Sequence, residues 1–188
     1  MRTATHFQEQ AVFLRQTSGS TDLEKTLRKA TGILALFEIP HLVYGGFAVQ
    51  EHGYPRFTVD VGLIVPDVAA AREKLSLNGF RKNTGSSMTV TDRETKVEVD
   101  LLPGGSKVDT GPLSLPMPVD VSATPRFLSL DQLISAKLST YIARGIHRAQ
   151  DYADVAKLMA TNQLPRDFGV RAEVKDLYQT IWDELNRA

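Results

Sequence analysis

The chain has 188 residues, 42% of them hydrophobic and 23% charged, which is the composition of one globular domain able to bury a core without staples. Lys plus Arg and Asp plus Glu each number 22, so no net field draws the chain to nucleic acid or to an anionic membrane. The absence of cysteine excludes disulfides, thiolate metal sites and cysteine nucleophiles. No segment approaches the roughly 20 apolar residues of a membrane span, and MRTATHFQEQAVFLRQ holds no apolar run of signal-peptide length. A cytoplasmic protein is the expectation.

No repeat or low-complexity tract interrupts the chain. Residues 6–16 predict a short helix with Phe7, Val12, Phe13 and Leu14 on its apolar side, broken by Thr17-Ser18-Gly19-Ser20. A second helix is expected from a cap at Ser20 or Thr21 to about Phe37, with Leu23, Leu27, Ala30, Ile33 and Leu34 at helical spacing. Pro40 stops it. Residues 41–44 read as a short buried strand ending in Gly45-Gly46, and 47–52 as a short helix closed by Gly53. Over 58–65 the alternation puts Val59, Val61, Leu63 and Val65 on one face and Thr58, Asp60, Gly62 and Ile64 on the other.

An amphipathic helix over 66–78 ends at Gly79. Strands are expected at 86–91 and 96–102, joined by a turn at Asp92-Arg93-Glu94. In the second, Val97, Val99 and Leu101 oppose Lys96, Glu98, Asp100 and Leu102. Residues 103–118, rich in Pro and Gly, predict a loop, and 118–123 a short edge strand. Ser129 with Gln132 has the capping-box pattern ahead of a helix through Ile142. Two further helices follow, at about 147–160 and 170–186. The fold class expected is α/β (α+β), a mixed sheet flanked by helices, with residues 1–125 as the core and 126–188 as a C-terminal helical segment packed on it.

Chemistry gathers where three elements meet. Gly45 and Gly46 sit between a strand and a helix, where backbone N–H groups approach a phosphate closely. Asp60 and Asp100 occupy the polar faces of their strands, and Glu98 shares that face with Asp100. Carboxylates on neighbouring strands suit Mg²⁺, which takes oxygen ligands together with substrate phosphates.

The segments GGFAVQEHGYPRFTVDVGLIV and VEVDLL resemble the core of the polymerase-β-type nucleotidyltransferases. They are similar in particular to the minimal bacterial members grouped with abortive-infection and toxin–antitoxin systems. The pattern is a Gly-Gly or Gly-Ser turn, an Asp-x-Asp pair on the next strand and a third carboxylate on a later one. Gly45 and Gly46 match the turn, Asp60 the first aspartate and Asp100 the third carboxylate, while the second aspartate falls on Gly62. LSLDQLISAKLSTYIARGIHRAQDYADVAKLM resembles the family's helical segment, so the likeness covers about residues 40–160. It implies a nucleotidyltransferase-like fold with Mg²⁺ at Asp60 and Asp100, and with Glu98 partly replacing the missing ligand. It also implies a nucleoside triphosphate as donor, an acceptor that is a protein side chain, a tRNA end or a small molecule, and a lysine at position 137 facing the phosphates.

Lys137 lies within the apolar stripe of its helix and must either snorkel or meet an anion, phosphate or carboxylate. Asp151 and Asp154 share a helix face with His147 and Arg148 one turn earlier, the pattern of an ion-pair network or of catalytic carboxylates. Arg56, just before the Asp60 strand, could touch phosphate or lie in solvent. His41, His52 and His147 lack metal-ligand spacing, and Gly104-Gly105-Ser106-Lys107 lacks the rest of a phosphate-loop pattern. Three readings stay open at this level: a nucleotidyl-transferring enzyme, a nucleotide-fold binding or regulatory module with a partner protein or a second copy, and a domain whose Asp60 and Asp100 are ordinary edge carboxylates.

Overall fold

The computed structural model describes residues 21–107 and 110–187, so the helix expected over 6–16 lies outside the described residues. Helix α1, Asp22–Leu36, starts at Thr21 with a reciprocal cap. Thr21 Oγ1 accepts from the Glu24 N–H at 3.2 Å, and the Glu24 carboxylate accepts from the Thr21 N–H at 3.3 Å. Strand β1 is Leu42–Tyr44 and passes directly into helix α2, Gly46–Glu51. Strand β2, Asp60–Val65, is followed by helix α3, Val68–Leu77, capped by Asp67, whose Oδ1 accepts from the Ala70 N–H at 2.9 Å.

Strands β3, Phe80–Lys82, β4, Thr89–Asp92, and β5, Glu98–Pro103, complete a five-stranded sheet in the order β1-β2-β5-β4-β3. Only β2 and β5 run parallel; the other neighbours are antiparallel. β3 is absent from the sequence-based expectation because three residues are too few to show a period. It forms because Phe80 is fully buried and its backbone pairs with Asp92 of β4.

The C-terminal segment holds helices α4, Leu130–Arg144, α5, Ala149–Thr161, and α6, Lys175–Leu185. Short 3₁₀ turns at Gly145–Arg148 and Ala172–Val174 lead into the last two. The mixed sheet flanked by helices, with a helical C-terminal segment, is the expected architecture. No described helix is long and apolar enough to cross a membrane.

Two expectations are corrected. Residues 118–123 form no strand; Val119 and Val121 alternate as a strand would, yet both are exposed and have no neighbouring strand. The free edge of β1 is met instead by residues 126–128, where the Val43 N–H donates to the Arg126 carbonyl at 2.6 Å and the Leu128 N–H to the Val43 carbonyl at 3.1 Å. Ser129 stands at the N-cap of α4, but its side chain makes no capping bond. The sheet-edge bonds already hold the chain just ahead of the helix, so the start does not depend on that cap.

Two apolar clusters lie on opposite faces of the sheet. On one face Val61, Leu63, Val90, Val99 and Leu101 pack with Leu27, Ala30 and Leu34 of α1 and Ala71 and Leu75 of α3. On the other, Tyr44 and Ile64 pack with Leu133, Ile134, Leu138, Val155, Leu158 and Tyr178 from the C-terminal segment. No β3 or β4 residue joins the second cluster. The C-terminal helices therefore cover only the β1–β2 side of that face, and the polar ends of the other strands are left for solvent or a ligand.

Candidate functional site

Register decides which side chains meet on the half-covered face. Tyr44 pairs with Gly62, Gly62 with Asp100 and Asp100 with Thr89, forming one row across four strands. Asp60 pairs with Glu98, Glu98 with Thr91 and Thr91 with Arg81, forming the next. Residues directly opposite in a sheet point to the same side, so both rows share the face. The row beyond, Leu42, Ile64 and Leu102, is apolar and packs under the C-terminal helices. Along β2 and β5 the same face thus changes from apolar to acidic.

Asp60 and Asp100 are both half-buried. Thr58 Oγ1 donates to Asp60 Oδ1 at 2.9 Å, and Thr89 Oγ1 donates to Asp100 Oδ1 at 2.9 Å. Thr89 Oγ1 is in turn within 2.9 Å of Ser86 Oγ. Among the described residues neither aspartate has a cationic partner, in contrast to the fully buried ones. Asp92 is held by Lys29 at 2.7 Å, and Asp151 and Asp154 by Lys137 at 2.9 and 2.7 Å. Burial pushes the Asp100 carboxyl up from the ordinary carboxylate value; the Thr89 bond opposes this, and the charges of Asp60 and Glu98 add to it. Repulsion from Asp60 reaches Asp100 because the two carboxylates stand on one face of adjacent parallel strands, two residues out of register.

Glu98 is on the same face but turned aside. Its Oε1 accepts from Asn83 Nδ2 at 2.9 Å, and Asn83 Oδ1 accepts from Thr91 Oγ1 at 2.7 Å. Among the described residues no three His, Cys, Asp or Glu side chains are grouped as metal ligands, so Glu98 does not complete a three-carboxylate set. Mg²⁺ is commonly held by one or two carboxylates plus substrate phosphates, and Asp60 and Asp100 supply that number and type of donor. They do not make a two-ion site.

The two glycines serve different ends. Gly45 has φ +78° with open space around it, a backbone sign that L side chains rarely adopt. At Gly46 the constraint is room: a Cβ there would stand 2.5 Å from Thr58 Cβ and Oγ1 and 2.8 Å from Arg56 Nη1. The glycine turn therefore lets the chain before β2 pack against α2, which sets Thr58 beside Asp60. Gly46→Ala is expected to destabilise the protein by about 1–3 kcal/mol through overpacking. Urea unfolding measures it, and an unchanged midpoint would contradict this packing role.

Lys137 is almost fully buried and bonded to both Asp151 and Asp154. Burial favours loss of its proton, but interactions with Tyr44, Asp151 and Asp154 outweigh it and hold the pKa above the ordinary lysine value. Of the two partners open in the sequence, the structure shows carboxylates, and Asp151 and Asp154 form the ion-pair network. Arg148 Nε reaches Asp151 at 2.7 Å, Gln150 Nε2 donates to Asp154 Oδ1 at 2.8 Å, and Arg56 Nε lies 3.3 Å from Asp154. Arg56 thus links the helical network to the Gly46–Thr58–Asp60 contact. Tyr44, buried beside Lys137, has its phenol pushed up chiefly by burial.

Tyr44, Thr58, Asn83 and Thr89 have no sequence signal of their own. Thr58 stands two residues before Asp60 and was legible only as a same-face neighbour, while Thr89 and Asn83 depend on strand pairings that a linear pattern does not contain. No protein-family model matches the chain, and no curated protein does. In structure the chain is similar to the antibiotic-resistance factor ANT(2'')-Ia. Its solution structure aligns over 85% of this chain and 90% of that one, with TM-score 0.48 and 14% identity. The crystal structure of ANT(2'')-Ia in complex with adenylyl-2''-tobramycin aligns over 85% and 96%, with TM-score 0.46 and 12% identity.

Proposed function

We propose that the chain binds the Mg²⁺ complex of a nucleoside triphosphate at Asp60 and Asp100 and transfers the nucleoside monophosphate to an acceptor hydroxyl. The observation that carries this reading is the pair of half-buried carboxylates on one sheet face that have no cation among the described residues, whose buried aspartates Asp92, Asp151 and Asp154 each have one. Two anions held together without a partner cost free energy, and a bound cation removes that cost. When bound, Mg²⁺ would supply charge neutralisation at the phosphates.

Asp60 and Asp100 orient the donor, and Thr58 and Thr89 fix the two carboxylates by their hydrogen bonds. The acceptor oxygen attacks the α-phosphorus, the bond from that phosphorus to the bridging oxygen breaks, and pyrophosphate leaves. The acceptor proton passes to the Asp100 carboxylate as general base. Gly45, with open space around it, presents backbone to the phosphates, while Lys137 and Arg56 act from behind by positioning the chain that carries Thr58 and Asp60.

A second reading is favoured by Gly62. It faces Asp100 in the sheet and brings no ligand, which suits a nucleotide-binding or regulatory module without turnover. A toxin–antitoxin or phage-defence role fits either reading. Calorimetry with each nucleoside triphosphate, with and without Mg²⁺, tests the site; binding is expected to require the ion, and no binding of any triphosphate would remove the transfer reading. Gly62→Asp separates them. Its Cβ would stand 3.0 Å from the Tyr44 carbonyl oxygen, so a small backbone adjustment is needed. Gly62→Ala controls for that adjustment. Tighter Mg²⁺ binding in the aspartate variant alone, with a gain in pyrophosphate release, marks an impaired transfer site; tighter binding without release supports the module.

A further inference from the structure

Beside Asp100, on the side away from the C-terminal helices, the β3–β4 connection borders an open cavity of about 370 Å³. Its lining includes Arg81, Asn83, Thr84, Gly85, Ser86 and Thr89. Ser86 and Thr89 connect it to the carboxylate site, since Thr89 bridges Ser86 Oγ and Asp100 Oδ1. This wall is built rather than loose. Arg72 of α3 donates from Nη2 to the Asn83 and Ser86 carbonyls at 2.8 and 2.9 Å and from Nε to the Thr89 carbonyl at 3.5 Å. One guanidinium from the opposite layer therefore fixes both ends of the loop. Asn83 is held a second time by Glu98 and Thr91.

The charges lining the cavity are not equally occupied. Lys82 is paired with Glu73, and Glu98 accepts from Asn83. Arg81 is exposed, shares the sheet face of Asp60 and Glu98, and has no ion pair or side-chain hydrogen bond among the described residues. The amide N–H groups of Thr84, Gly85 and Ser86 likewise donate to no protein acceptor among the described residues. A guanidinium next to free amides and hydroxyls is the donor set that receives a phosphate group. Arg81 stands two strands across and two residues along from Asp100, about 12 Å at ordinary strand spacing and rise. That span is too long for the reacting phosphorus and suits the far end of a small acceptor. The cavity volume falls within the range of small-molecule sites, roughly 300–1,000 Å³.

We infer that this cavity is the acceptor subsite and that the acceptor is a small phosphorylated polyol, its phosphate on Arg81 and its hydroxyls along Ser86 and Thr89 toward Asp100. The inference rests on the transfer reading for its role, but binding at the cavity is measured without any triphosphate. The full chain is titrated with glucose 6-phosphate, glucose and inorganic phosphate by ¹⁵N NMR. Glucose 6-phosphate is expected to shift the amides of residues 81–89 and to bind at least tenfold more tightly than either glucose or phosphate. Arg81→Gln, an exposed change that leaves the Arg72 bonds intact, is expected to abolish that advantage while Mg²⁺-dependent triphosphate binding is kept.

Glucose 6-phosphate that binds no better than phosphate, or equally well to Arg81→Gln, overturns the subsite. Displacement of it from residues 81–89 by ATP would assign the cavity to the donor and overturn the acceptor role. The two readings fail separately. A chain that binds Mg²⁺ and ATP but not the sugar phosphate loses only the acceptor site. A chain that binds the sugar phosphate but no triphosphate loses the transfer reading and with it the acceptor role.

Discussion

Lys137→Met is expected to lower the stability of the protein by about 3–5 kcal/mol, because it leaves two buried aspartates facing each other without their cation. Lys137 is 2% exposed and Asp154 fully buried, so water cannot replace the lost partner. Arg148 and Arg56 each touch one of the aspartates from the rim and soften the loss without bridging the pair. Methionine fills nearly the same volume, which confines the effect to charge. The triple variant Lys137→Met, Asp151→Asn, Asp154→Asn removes the whole buried set and is expected to recover much of the loss, since a neutral set of similar shape carries no uncompensated charge. Urea unfolding reads both. A loss below about 1 kcal/mol in the single variant would show that Lys137 is not the cation the network depends on.

Asp100→Asn is expected to do the opposite to stability and to weaken nucleotide binding. With its pKa raised in the folded protein, Asp100 binds more protons in the native than in the unfolded state between the ordinary carboxylate value and the raised one. Stability therefore falls as pH rises through that window, and the cost stays in full at neutral pH. Asparagine removes the charge and can still accept the Thr89 bond, so a higher urea midpoint at pH 7 and a flatter profile at acidic pH are the expected results. The same variant is expected to weaken Mg²⁺-dependent ATP binding by at least about tenfold. A substitution that stabilises the fold while removing the ligand identifies a residue kept for function. If stability and binding fell together, Asp100 would be a structural carboxylate. Asp60→Asn tests the other half of the pair by the same calorimetry.

Much of the fold was legible because short-range patterns govern it. The period of α1, its cap at Thr21, the Pro40 stop, the alternation along β2 and β5, and the glycines around α2 all act within a few residues. What failed was local pattern without a partner. Residues 118–123 alternate but have no strand to join, Ser129 has the capping sequence yet its side chain makes no bond, and three-residue β3 exists only because Phe80 is buried and β4 lies beside it.

The candidate site divides in the same way. That Asp60 shares a face with Gly62, and Asp100 with Glu98, followed from the two-residue period of a strand, and the register of β2 against β5 put the two pairs on the same side. The sequence alone also determined that Gly62 brings no side chain to that face and that Lys137 sits where it must meet an anion. Only the tertiary structure decided which anion: Asp151 and Asp154, 14 and 17 residues away, reach it by the fold of α5 against α4. It alone left Asp60 and Asp100 without a cation among the described residues, turned Glu98 to Asn83, and set Arg72 under the loop beside them. Periodicity says which way a side chain points. Its partner depends on which strands and helices lie alongside, and that is settled only when distant segments bury their apolar faces together.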